Sequence, residues 1–309
     1  MSIPADATSL VCEGLTKIYA ENPVRALDSV SFTLPTRGVF VLIGRNGSGK
    51  TTLVRILATN LEATAGTATL NGIDVTLEPD KIRERIAIVP QEARPIPWIT
   101  PLQSVFSYLL WRGVGYAEAK QKASGVLDKL KFGRKARALN RTLSGGMKRK
   151  VLMAMVIAAD AEVIFLDEPP TGLDPLARRE FWDVLGEIRK DRFVVLTTHY
   201  MEEAEQLADT IGVLDEGRLI ALGTMDELRK RVRYNYSVQI LSLPAPPITL
   251  TEGEMVKGRN DLPVILTTED EAFRIASDLS REGSKFSINP VGLEDIFFYV
   301  HHGGDTGGR

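Results

Sequence analysis

An α/β fold built on a mixed sheet, with a smaller α+β unit toward the C-terminus, is what this sequence predicts. Three observations carry the expectation. Apolar runs at Val39 to Ile43, Val163 to Leu166 and Phe193 to Thr197 lack polar alternation, as strands covered on both faces do. The first of these runs leads into a glycine-rich turn and then a helical pattern from Leu53 to Ala58. Beyond about Leu228 the composition changes, and Val264 to Thr267, Asp270 to Arg281 and Lys285 to Asn289 read as strand, helix, strand.

In chain order, Leu10 to Ile18 and Ala26 to Leu34 alternate and carry β-branched residues, so they read as strands. Thr67 to Leu70, followed by Asn71-Gly72, reads as a short strand and turn. Ile86 to Val89 is a buried strand running out at Pro90 and Gln91. From Pro101 to about Leu139 the period turns helical: Val105, Leu109 and Leu110 share one face, as do Val126, Leu127 and Leu130. Met147 to Ala159 is a helix preceded by Leu143-Ser144-Gly145-Gly146, and Ile211 to Leu214 with Arg218 to Leu222 flank Asp215-Glu216-Gly217 as a hairpin. Pro244-Ala245-Pro246-Pro247 is a turn or linker, and the glycine-rich tail from Gly303 to Arg309 is expected to be disordered. The expected domains are 1–228, with a helical part at about 92–158, and 229–302, followed by the tail 303–309.

Composition narrows the function classes. The chain has 309 residues, 44% hydrophobic and 25% charged, as ordinary soluble domains have. A formal net charge of −2 provides no global basic field, so no nucleic-acid partner is expected. Cys12 is the only cysteine, which rules out an intrachain disulfide and fits a reducing compartment. Met1 to Asp6 carry no secretory leader pattern, and no apolar run approaches the roughly 18 residues that span a bilayer. A role at a membrane would need docking onto another chain. His301 and His302, beside the glycine-rich tail, read as solvated rather than as metal ligands.

The glycine turn carries the chemistry. Gly44-Arg45-Asn46-Gly47-Ser48-Gly49-Lys50-Thr51-Thr52 fits the phosphate-loop pattern G-x-x-x-x-G-K-[ST], between a strand and a helix as the pattern requires. Glycines let the backbone curl until several N–H groups point inward at an anion, and the helix that follows adds its positive dipole end. Lys50 can reach the β- and γ-phosphates, and the Thr51 hydroxyl can ligate Mg²⁺. A decorative glycine turn is the bland alternative, and the strand–helix setting argues against it. Val163 to Leu166 ends in Asp167 and Glu168, carboxylates at a strand end where Mg²⁺ is held beside such a loop. Ser144 stands where it would cap a helix, a second anion site.

Taken together, these motifs resemble the nucleotide-binding domain of ABC transporters, over about residues 9 to 225. The resemblance implies a P-loop NTPase-type mixed sheet with an antiparallel β subdomain and a helical subdomain. It implies that Asn46, Gly47, Ser48, Gly49, Lys50, Thr51 and Thr52 hold the phosphates of ATP. Tyr19 would stack on adenine, the plain alternative being a core aromatic. Gln91 is similar to the Q-loop glutamine, which touches Mg²⁺ and faces the membrane subunit. Ser144, Gly145 and Gly146 resemble the signature motif that contacts the γ-phosphate held by a second protomer, and Gly172-Leu173-Asp174-Pro175 resembles the D-loop, with Asp174 at that shared site. His199 resembles the switch histidine on the γ-phosphate. Met147 stands where many importers carry glutamine, as in drug- and lipid-exporting ATPases, and Gly292 to Phe297 is similar to their closing segment. Arg45 replaces a frequent proline, and Pro169-Pro170-Thr171 departs from the usual order before Gly172 at unchanged length.

The reaction so implied is in-line attack of water on the γ-phosphate, with Thr51, Gln91 and Asp167 supporting Mg²⁺, Glu168 as general base, and Lys50 and His199 on the γ-phosphate. The bland alternative for Glu168 is a salt-bridged surface acid. Two copies would sandwich two ATP as an ATP-dependent homodimer and drive a separate membrane permease of exporter type. Contact with that permease would use Gln91 and the segment from Arg94 to Trp98, where Trp98 is an interface anchor or else a buried loop residue. The protein would sit peripherally on the cytoplasmic face of the cell membrane. The competing class is a soluble ABC ATPase acting on nucleic acid or ribosomes. Such proteins carry long coiled coils or two cassettes, and this chain has neither, nor a basic stripe.

Overall fold

Alternation along Ser9–Ile18 (β1) and Arg25–Pro35 (β2) puts Leu10, Cys12, Leu15, Leu27, Val30 and Phe32 inside and pairs the two strands antiparallel. The structure, a computed structural model, describes residues 9–20, 24–169, 173, 175–189, 191–241, 248–258 and 262–301. Val39–Ile43 (β3) begins the next sheet, while Ala65–Leu70 (β4) and Ile73–Asp74 (β5) complete the first in the order β2-β1-β4-β5. This is the antiparallel β subdomain.

The unalternating apolar runs form the second sheet. With Ile86–Val89 (β6), Val163–Asp167 (β7), Phe193–Thr198 (β8), Thr210–Asp215 (β9) and Arg218–Gly223 (β10), its order is β10-β9-β3-β8-β7-β6. Strands β6, β7, β8, β3 and β9 run parallel. Every residue of β3, β7 and β8 is buried. Register pairs Ile43 with Thr198 and Asp167 with Thr197, so the chain leaves all three strands at one edge. Open α/β sheets bind ligands at the carboxyl ends of their parallel strands, and here that edge carries the glycine loop and both carboxylates. Glu216 and Gly217, between β9 and β10, have φ of 43° and 80°, the pattern of a two-residue I′ turn.

Lys50–Leu57 (α1) follows the glycine loop, and Pro79–Arg85 (α2) precedes β6. Pro101–Trp111 (α3), Tyr116–Lys129 (α4) and Gly145–Ala158 (α5) enclose a core of Val105, Leu109, Val126, Leu127, Leu130, Val151 and Ala154. Helix α3 opens with a capping box, in which Thr100 Oγ1 accepts from Gln103 N and Gln103 Oε1 accepts from Thr100 N. The helical period expected from Pro101 to Leu139 is broken, because Gly113 (φ 82°) and Gly115 separate α3 from α4. Leu110 is 39% exposed rather than sharing the face of Val105 and Leu109, since neighbours on a helix lie about 100° apart. Pro175–Ile188 (α6) and Met201–Leu207 (α7) flank β8 in sequence.

The chain separates into two compact units: Met1–Tyr200 with Leu207–Leu219, and Met201–Gln206 with Ile220–Arg309. The boundary expected after Leu228 therefore lies inside the second unit. There Met225–Arg229 (α8) packs on Leu293–His301 (α10), Arg229 Nε donates to Val291 O at 3.1 Å, and the Glu205 carboxylate accepts from Leu293 N. The second unit is an antiparallel sheet of Tyr236–Ile240 (β11), Glu254–Lys257 (β12), Pro263–Thr267 (β13) and Phe286–Pro290 (β14), in the order β12-β13-β11-β14. Glu269–Arg281 (α9) lays Ala272, Ile275 and Leu279 against Val238, Ile240 and Ile265. The expected strand, helix and strand are β13, α9 and β14, whereas β11 and β12 had no reading in the sequence. Residues 244–247 and the tail from Gly303 lie outside the described residues. No helix among the described residues is long and apolar enough to cross a membrane.

Candidate active site

Two glycines shape the loop between β3 and α1. Gly49 is the N-cap of α1 at φ 105°, a left-handed backbone that side chains disfavour. A Cβ at Gly44 would lie 2.1 Å from Leu214 O, so only glycine lets the chain leave β3 beside β9. Lys50 lies across the loop, its Nζ donating to Gly44 O at 2.9 Å and Arg45 O at 3.0 Å. Burial lowers the Lys50 pKa, opposed by the charges of Glu168 and Asp167. The Ser48 Oγ is buried, with no hydrogen-bond partner among the described residues. A cavity of about 230 Å³ opens here, lined by Asn46, Gly47, Gly49 and Lys50 on one side and by Gln91 and Glu168 on the other.

The two carboxylates divide their surroundings. Asp167 Oδ1 accepts from Thr51 Oγ1 at 3.1 Å and from Thr197 Oγ1 at 2.6 Å. Glu168, 7% exposed, turns the other way. Its Oε2 accepts from Gln91 Nε2 at 3.1 Å and lies 3.5 Å from His199 Nδ1, while its Oε1 lies 3.8 Å from Lys50 Nζ. Its backbone has φ 44°, a rare conformation outside glycine, and its N–H donates to Thr197 Oγ1 at 2.9 Å. The Thr51 hydroxyl beside Asp167 offers hard oxygen ligands, the donor type Mg²⁺ takes. No cluster of three or more His, Cys, Asp or Glu exists among the described residues.

A family described as ABC transporter matches residues 27–171. The daunorubicin/doxorubicin resistance ATP-binding protein DrrA of Streptomyces peucetius is 34% identical over 297 residues, covering 92% of this chain and 89% of the relative. The chain belongs to the ATP-binding subunits of ABC transporters. The ATP-binding cassette sub-family A member 2 of Rattus norvegicus is 32% identical over 261 residues, which are 84% of this chain and 11% of that one. Among solved structures, an ATP binding subunit of an ABC transporter superposes with a TM-score of 0.64 at 27% identity, over 72% of this chain and 92% of the other. The protein is thus an ABC-type ATPase.

The other expected residues of this ABC ATPase can be placed against the phosphate loop. Tyr19 is 36% exposed, its OH 3.3 Å from Thr52 Oγ1, with Lys17 Nζ 5.6 Å from its ring centre. Ser144 is the N-cap of α5, where its Oγ accepts from Met147 N at 3.3 Å. Ser144 and Gly145 are exposed, and neither they nor Gly146 are among the described residues lining the phosphate cavity. A larger cavity of about 510 Å³ opens beside Ser144 and Gly146, against Phe181 and Val184 of α6. It contains none of the phosphate-loop residues, so the chemistry belongs to the smaller one. Trp98 is 67% exposed, with the Arg141 guanidinium 5.2 Å from its ring centre, so it is not a buried loop tryptophan. Asp174 and Gly172 lie outside the described residues. Thr197, which joins the Asp167 carboxylate to the Glu168 backbone N–H, was read in the sequence only as a strand residue, with no role in the site. Its signal was a polar residue ending an apolar strand that is buried throughout.

Proposed function

We propose that this ABC ATPase hydrolyses ATP in a sandwich of two copies, with Glu168 as the general base, and drives a separate membrane permease of exporter type. The observation that carries the reading is the buried Glu168 carboxylate, facing the phosphate cavity within 3.8 Å of Lys50 Nζ and 3.5 Å of His199 Nδ1. A carboxylate so placed can accept the proton of an attacking water. Lys50 and the loop amides hold the phosphates, and His199 meets the γ-phosphate. Mg²⁺, when bound, neutralises charge on the phosphate oxygens; Thr51, Asp167 and Gln91 would hold it.

Two features support the two-copy reading: Ser144 and Gly145 face solvent at the start of α5, and the phosphate cavity draws no described lining residue from Ser144 to Gly146. The likeness to a daunorubicin/doxorubicin resistance ATP-binding protein supports the exporter role. The exposed Ile96 and Trp98, following Gln91, are the proposed contact with a permease, which would place the protein peripherally on the cytoplasmic face of the membrane. The C-terminal unit is read as an accessory domain supporting the dimer or its coupling to the permease.

Glu168→Gln tests the reading, since it keeps shape and removes charge. Hydrolysis at least about a hundredfold slower is expected, with ATP-dependent dimers retained on size-exclusion chromatography. Near-normal turnover would remove Glu168 from this role.

A further inference from the structure

Arg149 has no part in the reactions above, yet it touches the backbone on both sides of the site. It lies on the face of α5 that also buries Leu152, Met153 and Val156, and it is 7% exposed. Its Nη1 donates to Pro90 O at 3.3 Å and Gln91 O at 3.2 Å, where the chain leaves β6. Its Nη2 donates to Asp167 O at 3.0 Å and Glu168 O at 3.3 Å, and its Nε to Pro169 O at 3.0 Å, where the chain leaves β7. One planar guanidinium thus ties two strand ends together and ties both to the helix that Ser144 caps. Burial, then the nearby charge of Arg94, lower its pKa to about 10, which keeps it a cation at physiological pH.

The acceptors explain why an arginine is needed. All five are backbone carbonyls, spread over two loops, so the geometry of the fork decides the fit rather than a counter-charge. Glu168 is held at φ 44° with its N–H on Thr197 Oγ1 and its C=O on Arg149 Nη2, so both ends of a strained residue are pinned. Gln91 is held by its C=O on the same guanidinium, while its Nε2 donates to Glu168 Oε2 at 3.1 Å.

We propose that Arg149 is a positioning residue that couples the Ser144–Gly146 end of α5 to the base of its own chain, by fixing the Gln91 and Glu168 backbones to each other and to that helix. The proposal rests on Glu168 as the base. Contact of Ser144 with nucleotide on a second copy moves or steadies α5, and Arg149 transmits that to the carbonyls behind Glu168. Displacing a reacting group by about an ångström is enough to cost on the order of a hundredfold in rate.

The test uses the full-length protein with Mg-ATP. Arg149→Met keeps length and loses the donors, whereas Arg149→Lys keeps charge and loses the fork. In both, kcat is expected to fall about ten- to hundredfold. ATP affinity and KM should stay within about threefold, because no phosphate-binding atom is removed. Arg149→Met added to Glu168→Gln should cost less than about twofold more, since both act through one carboxylate. A merely structural arginine would instead lower the melting temperature and ATP affinity and leave kcat per folded molecule unchanged, which would overturn the proposal. If Glu168→Gln alone retains turnover, the base assignment fails. If Glu168→Gln abolishes turnover and Arg149→Lys has parental kcat, only the coupling fails. Should the methionine variant not fold, the lysine variant carries the test. Loss of the fold in both would make Arg149 a strut of the whole unit and overturn the proposal too.

Discussion

Replacing Thr197 by valine isolates the hydroxyl that joins the Asp167 carboxylate to the Glu168 backbone N–H. Thr197 is fully buried on β8, and valine keeps its branched shape, so no cavity opens and the cost is polar. Two hydrogen bonds disappear: the donation to Asp167 Oδ1 at 2.6 Å and the acceptance from Glu168 N at 2.9 Å. A bond to an ionised partner contributes about 1.5–3 kcal/mol, and a buried N–H left without a partner costs about 1–3 kcal/mol. The two terms share neighbours and do not add in full, and Asp167 keeps its bond from Thr51, so about 3 kcal/mol is expected. At about 2–4 °C per kcal/mol for a domain of 150–250 residues, the melting temperature should fall about 6–12 °C by differential scanning calorimetry. Turnover should fall about tenfold alongside, because Glu168 at φ 44° loses the anchor of its N–H. Thr197→Ser keeps the hydroxyl and serves as the control. A valine variant melting within about 2 °C of the parent would refute the idea that this hydroxyl organises the carboxylates.

Three other perturbations probe separate parts of the chain. Ser144→Arg should leave ATP binding intact and abolish ATP-induced dimers and hydrolysis, at about 1 kcal/mol in lost helix capping; ATP-dependent dimers of the variant on size-exclusion chromatography would sink the sandwich model. Trp98→Ala should release the protein from membranes carrying its co-expressed permease, weakening the contact by about 1–3 kcal/mol, and unchanged co-fractionation would exclude Trp98 as an anchor. In the second unit, Arg274 first, and Thr251 with it, hold the Glu271 carboxyl well below its ordinary value of 4.5. Its stabilising contribution is therefore present above about pH 4.5 and is lost as pH falls further. Glu271→Gln should lower stability at neutral pH and flatten this acid loss in urea titrations followed by circular dichroism; an unaltered acid limb would show that the group does not drive it.

Where chemistry depends on neighbours in the chain, the residues alone were sufficient. The loop from Gly44 to Thr52 needs an anion nest, a helix N-terminus and a lysine within a few positions, and all of that is local. The same holds for Ser144 capping α5, and for the apolar runs that became β3, β7 and β8, whose lack of alternation records burial on both faces. Periodicity records which face is buried, however, and not which residue meets which. Thr51 and Asp167 are 116 residues apart, and Gln91 and Glu168 are 77 apart. Their meeting depends on β3, β8, β7 and β6 lying side by side in parallel, so that all four strand ends share one edge. The tertiary structure alone decided that Asp167 takes the two hydroxyls while Glu168 turns toward Lys50, Gln91 and His199, because those partners come from other strands and loops. It also decided the role open to Arg149. Only the folded chain brings five carbonyls from two loops around it. In the same way α8 follows β10 in sequence but packs on α10, a contact that composition along the chain does not record.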